Sequence, residues 1–302
     1  MIRDDSLQNM IKVSYSMIQP YEISSLNIKI IANEGGYITP FTGHLIRGFL
    51  IRLIEDIMPD TSSDLHRPNK RKPFSIAPLQ PLQKRKQFEK KLWRLERGEV
   101  LTFSISFVDK QLSSLIPEVL NYISRFGVSL GEMNFSILEY SIKSTKYENL
   151  ISLSSITDPN KPYRFVIKYN SPTRFEIKSS TFPMLMPMPH LVFKSLGDLW
   201  NSYSPEDLKI DVDAMLDDLK NHIFISNYRL SIEKHRLRED MYMAGFTGVV
   251  EYQTVGKIKE SSLRLIPILC RFGEYASVGA KRSYGFGHIS FREIKRMIDN
   301  DD

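Results

Sequence analysis

Residues 274–291 read EYASVGAKRSYGFGHISF, with Gly279, Gly285 and Gly287 inside nine positions and Lys281 and Arg282 between the first two. A glycine-rich loop beside positive charge usually cradles a phosphate, and its flanks decide the fold. A Walker loop requires Gly-Lys followed by Ser or Thr after four spacer residues, and the chain contains no such run. A dinucleotide loop joins a strand to a helix. Here SSLRLIPILCRFGEYA (261–276) before the loop reads as helix, and HISFREI (288–294) after it alternates like a strand. The order helix, loop, strand excludes a doubly wound nucleotide fold and leaves two readings. Either the loop offers backbone N–H groups with Lys281 and Arg282 to a phosphodiester, or it is a glycine-rich turn and bulge before an edge strand.

Further from the loop, the first half of the chain has a clear rhythm. EISSLNIKIIANEGGYI (22–38) reads as a strand ending in a Gly-Gly turn. A helix follows with Thr42 as N-cap and a buried stripe of Leu45, Ile46, Phe49, Leu50, Leu53, Ile54 and Ile57; His44, Arg47, Ile51 and Glu55 fall on the opposite face. FSIAPL (74–79) and GEVLTFSISFVD (98–109) read as strands, KQLSSLIPEVLNYISRFG (110–127) as a helix and MNFSILEYSIKS (133–144) as a strand. Strand, helix, strand, strand, helix, strand is the ferredoxin-like pattern.

The second half is less regular. YRFVIKYNSPTRFEI (163–177) reads as strand broken at Ser171-Pro172, HLVFKSLGDLWNSY (190–203) and DVDAMLDDLKNHIF (211–224) as helices, and FTGVVEYQTVG (246–256) as strand. His222 and His235 read as surface positions on helices, and His190 and His288 as packed or capping residues. The fold expected is α+β: two tandem ferredoxin-like (RRM-like, βαββαβ) domains, 1–157 and 158–302, the second elaborated.

Composition fits a soluble globular chain, with 302 residues, 42% hydrophobic and 25% charged. No apolar run approaches the ~20 residues of a membrane span, and MIRDDSLQNM is no signal peptide. A lone cysteine, Cys270, excludes an intramolecular disulfide and a Cys-based zinc site. These features lead us to expect a cytoplasmic protein. The net charge is +6, yet between Leu65 and Arg97 eleven Lys or Arg face only Glu89 and Glu96. One basic stretch on a mildly acidic body suits a polyanion partner, or a solvated basic face.

Five stretches in order resemble the CRISPR-associated endoribonucleases of the RAMP superfamily, which cut precursor CRISPR RNA within each repeat. They are LH…KPFSIAPL (65–79), YNSPTRF (169–175), FPMLMPMPHLVFKSLGDLW (182–200), GFTGVVEY (245–252) and VGAKRSYGFGH (278–288). The resemblance implies metal-independent cleavage: the ribose 2′-OH attacks the adjacent phosphate, leaving a 2′,3′-cyclic phosphate and a 5′-OH. It implies no cofactor and no metal.

By the same resemblance His66 is the catalytic histidine, suited to either proton role by an ordinary pKa near ~6.5, and Lys72 is the family lysine that stabilises charge. The family's helix tyrosine is matched by Ile51, which cannot move a proton; His44 or Arg47 on that face, or Tyr37 before the helix, stand nearest to replace it. Gly279, Gly285 and Gly287, with Lys281 and Arg282, would hold phosphates near the cut. Arg47 and the basic run Lys84, Arg85 and Lys86 would track the backbone. The partner implied is CRISPR repeat RNA or its precursor, not a membrane, and the resemblance admits a CRISPR effector complex and a homodimer. The alternative is a non-catalytic RNA-binding subunit of such a complex, which would not need His66.

Overall fold

The computed structural model describes residues 22–59, 71–81, 92–153, 161–238 and 241–294. The division at residue 157, together with His66, Lys84, Arg85 and Lys86, lies outside the described residues. The first half builds a five-stranded sheet from β1 (Ile23–Ala32), β3 (Phe74–Pro81), β5 (Val100–Phe107), β6 (Val128–Leu130) and β7 (Met133–Thr145), in the order β3-β5-β1-β7-β6. Its neighbours are antiparallel throughout. The four long strands thus follow the ferredoxin arrangement expected from the sequence. A short ribbon of β2 (Gly36–Ile38) and β4 (Trp93–Leu95) stands apart, and the half-buried Trp93 packs on the core.

Helix α1 (Gly43–Ile57) lies on this sheet because its apolar residues recur at helical spacing. Ile46, Phe49, Leu50, Leu53 and Ile54 join Leu26, Ile28 and Ile30 of β1 in one core. The run 110–127 divides into α2 (Lys110–Ser113) and α3 (Ile116–Phe126), which stops at Gly127 with φ of 71°. A short α4 (Tyr147–Ser152) follows β7.

The second half repeats the plan with β8 (Arg164–Thr173), β9 (Ile223–Arg238), β10 (Met241–Thr254) and β11 (Ile289–Glu293), in the order β11-β8-β10-β9. Helices α5 (Pro189–Tyr203), α6 (Val212–Leu219) and α7 (Glu260–Ala276) complete it. Two local expectations are corrected here. β8 runs unbroken through Ser171-Pro172, because the proline lies beside a bulge in the β8–β10 ladder, where a missing N–H is tolerated. Residues 223–238 form an edge strand, so His235 stands on β9 and His222 in the turn before it, neither on a helix.

The halves meet through α7, which is buried on nearly every side, Leu263, Ile266, Leu269, Cys270 and Phe272 included. One side faces its own sheet and the other meets the helix-free face of the first sheet, where Ser75 Oγ donates to the Tyr275 carbonyl at 2.6 Å. Ile23, Val108, Tyr147 and Leu150 of the first half belong to the second half's core. Among the described residues no helix is long and apolar enough to cross a membrane.

Candidate functional site

The glycine-rich segment 278–288 makes a 3-10 turn at Arg282–Tyr284 and packs between α1 and β3. Its tight course depends on left-handed backbone: Gly285 has φ of 91° and Gly287 of 77°. A Cβ on Gly287 would lie 1.9 Å from the Val278 carbonyl oxygen, and one on Gly285 would lie 2.8 Å from Pro78 and 3.0 Å from Gly43. The glycines therefore admit protein, not open space. Their amides are engaged as well: Gly279 N–H donates to Ser195 Oγ at 2.8 Å, Gly285 to the Arg282 carbonyl at 3.1 Å and Gly287 to the Pro172 carbonyl at 2.9 Å. These three amides are thus taken up by acceptors within the protein.

Two further segments converge on the loop. The first turn of α1 abuts it, with Gly43 against the Tyr284 carbonyl and the Arg47 guanidinium 4.7 Å above the Tyr284 ring. Thr42 does not cap α1 with its side chain; Oγ1 accepts from Leu79 N–H at 2.8 Å and ties the helix start to β3. His44 is half-buried on this turn. The second segment is 71–73, which leads into β3. Arg282 donates to the Lys72 carbonyl at 2.9 Å and to the Ala276 carbonyl at 2.6 Å. Tyr203 O–H donates to the Arg71 carbonyl, and the Arg71 guanidinium pairs with Asp198 at 2.9 Å.

The two basic residues of the loop thus differ. Arg282 is 8% exposed, and burial lowers its pKa to about 10, which still leaves it cationic at neutral pH. Lys281 is more exposed and reaches towards Glu176 at 3.7 Å. Phe286 closes the loop against Phe41, which stacks on His235 at 4.7 Å. On the other side of the loop His288 lines a cleft of about 240 Å³ between the halves, with Asn27, Lys29, Gln80, Ser104 and Glu139. Burial holds its imidazole down at about 4, so it is neutral at pH 7.

The structure therefore brings Arg47 near the start of α1 and Lys72 to the loop that holds Lys281 and the three glycines. Ile51 is a correction. It is 4% exposed although it stands outside the first core, on the opposite face of the helix. Tyr37 is 63% exposed on the separate β2 ribbon, and no described contact joins it to the loop. Sequence reasoning missed Tyr284, Tyr203 and Asp198. Tyr284 carried a signal, as the one aromatic inside the basic part of the loop, whereas Tyr203 and Asp198 matter only because α5 approaches the distant segment 71–73.

Family models describe the same two halves. The N-terminal domain of Cas6 matches residues 24–145, and the CRISPR-associated endoribonuclease Cas6 matches residues 167–289. The CRISPR-associated endoribonuclease Cas6 of Streptococcus thermophilus is 28% identical over 169 residues, which span 56% of this chain and 66% of that protein's length. A Cas6 product complex, whose protein is from Thermus thermophilus, superposes with a TM-score of 0.72 at 18% identity, covering 89% of this chain and 100% of that one. A Cas6 substrate mimic complex gives 0.61 at 21% identity, covering 90% and 100%. At such identities these two structures establish the tandem fold alone. With family models matching both halves, this chain belongs to the Cas6 family of CRISPR-associated endoribonucleases.

Proposed function

We propose that the protein is an endoribonuclease that cuts precursor CRISPR RNA within its repeats without a metal ion. The ribose 2′-OH loses its proton to a base and attacks the neighbouring phosphate. The bond from phosphorus to the 5′-oxygen breaks as that oxygen takes up a proton, leaving a 2′,3′-cyclic phosphate and a 5′-OH. His66 is assigned one of the two proton transfers, each worth about 10²–10⁴-fold when positioned. Lys72 stabilises charge on the phosphorane, and His44 on the first turn of α1 is assigned the role of second proton-transfer group. Arg47 and Lys281 hold the flanking phosphates, with Lys84, Arg85 and Lys86 further along the strand.

One observation carries this reading: two segments far apart in sequence, holding Arg47 and Lys72, converge on the loop of Lys281 at the junction of the halves. The family's character as endoribonucleases supports RNA as the partner. A second reading, a non-catalytic RNA-binding subunit, is favoured by Ile51, which is apolar and buried where the family has a tyrosine.

The test is cleavage of end-labelled repeat RNA by the purified protein in excess EDTA. One cut leaving a 2′,3′-cyclic phosphate, lost in His66→Ala with binding retained, is the expected result. Tight binding without a cut would sink the catalytic reading and leave the subunit.

A further inference from the structure

A lysine that stabilises a transition state must be held in place, and Lys72 sits on the segment 71–73 just before β3. The second half holds that segment by its main chain. Arg282 donates to the Lys72 carbonyl at 2.9 Å, and Tyr203 O–H to the Arg71 carbonyl. On α5, the helix of Tyr203, Asp198 and Ser202 fix the Arg71 guanidinium at 2.9 and 3.3 Å. The other arm of Arg282 donates to the Ala276 carbonyl at 2.6 Å. Ala276 is the last residue of α7, where a carbonyl has no partner within the helix. One planar fork thus spans two carbonyls from opposite halves, a task matched to guanidinium geometry and not to an ammonium. Arg282 is buried, unlike its neighbour Lys281.

We propose that Arg282, seconded by Tyr203, is a positioning residue: it sets the Lys72 main chain across the junction of the halves and makes no contact with RNA. The proposal rests on the role given above to Lys72. It separates the two adjacent basic residues of the loop by task, Lys281 for phosphate and Arg282 for the placement of the lysine.

The discriminating variant is Arg282→Lys, which keeps the charge and cannot span both carbonyls. Displacement of a catalytic group by about 1 Å costs on the order of 10²-fold. The single-turnover cleavage constant at saturating protein should therefore fall about 10- to 100-fold. The dissociation constant for a repeat RNA bearing a 2′-deoxy nucleotide at the cut, and its salt dependence, should stay unchanged. Lys281→Ala should do the reverse, weakening binding and reducing the salt slope by about 1. In a Lys72→Ala background Arg282→Lys should cost nothing further, because it acts through that lysine.

Three outcomes would overturn the proposal: weaker binding with a shallower salt slope in Arg282→Lys, an additive double variant, or a lowered melting temperature with rate and binding unchanged. If the wild-type protein binds repeat RNA and does not cut, the functional reading fails by itself. The placement is then read by amide hydrogen exchange over residues 71–76, which should quicken in Arg282→Lys and in Tyr203→Phe. Unchanged exchange would remove it.

Discussion

His288 closes the glycine loop, lining the cleft between the halves, where Lys29 and Glu139 pair with each other. Burial lowers its folded pKa to about 4, against ~6.5 in the unfolded chain. Between those values the unfolded chain binds more protons, so stability present above pH 6.5 is lost as pH falls towards 4. At pH 5 the loss from this residue is on the order of 2 kcal/mol. Urea titrations at pH 7.5 and pH 5 should show the wild type losing about that much more than His288→Gln. Equal losses would mean that the ring is solvated. The sequence suggested a packed or capping role for this histidine, but its companions come from β1, β3, β5 and β7, which no local pattern could place. Thr42 shows the same limit from the other side. Its residue type announced a helix start correctly, yet its hydroxyl serves Leu79, 37 positions away.

Helix α1 holds two glycines whose replacements should act in opposite directions. Glycine inside a helix costs about 1 kcal/mol relative to alanine, and a Cβ at Gly48 would meet nothing within 4 Å. Gly48→Ala should therefore raise the melting temperature slightly, by about 0.5–1 kcal/mol in stability. Gly43 stands at the first helical position, where propensity gains little, and its Cβ would lie 2.0 Å from the Tyr284 carbonyl oxygen. Backbone cannot yield as a flexible side chain can, so Gly43→Ala must push α1 off the loop. It should cost stability and, under the proposed function, cleavage as well; a neutral Gly43→Ala would show that helix and loop are not in contact. Scanning calorimetry of the two variants checks both signs. At this scale the sequence was read well where one face of an element is buried on its own sheet, as in the stripe Ile46, Phe49, Leu50, Leu53 and Ile54. Periodicity placed Ile51 on the opposite face, outside that core, but carried no sign that it would be 4% exposed there. β9 escaped notice because an edge strand with Phe224, Tyr228 and Ile232 exposed has no clean alternation of apolar and polar residues.

At the scale of the molecule, the βαββαβ order was legible from turn residues and periodicity in the first half, and the same strand arrangement recurs in the second sheet, where β9 had carried no clear pattern. The contact between the halves was not, because the residues that make it look like ordinary members of their own elements. Tyr147 is the clearest case. It follows β7 of the first half, yet it is 1% exposed within the second core. Its ring meets Trp200 edge-on at 4.9 Å, and its hydroxyl donates to the Val108 carbonyl at 2.8 Å. Burial pushes the phenol far above its ordinary pKa, so it stays a neutral donor at any physiological pH. Replacing a buried aromatic with alanine costs roughly 3–5 kcal/mol, and here the cavity opens between the halves. If they share one core, Tyr147→Ala should lower a single unfolding transition by several degrees, with far-UV circular dichroism and tryptophan fluorescence falling together. If instead each half keeps its own stability, the variant should uncouple them: fluorescence from Trp200 would change at one temperature and the remaining ellipticity at another. That split would place the weak point of the molecule at the junction where Arg282 meets Lys72, and cleavage would then fail at a lower temperature than either half unfolds.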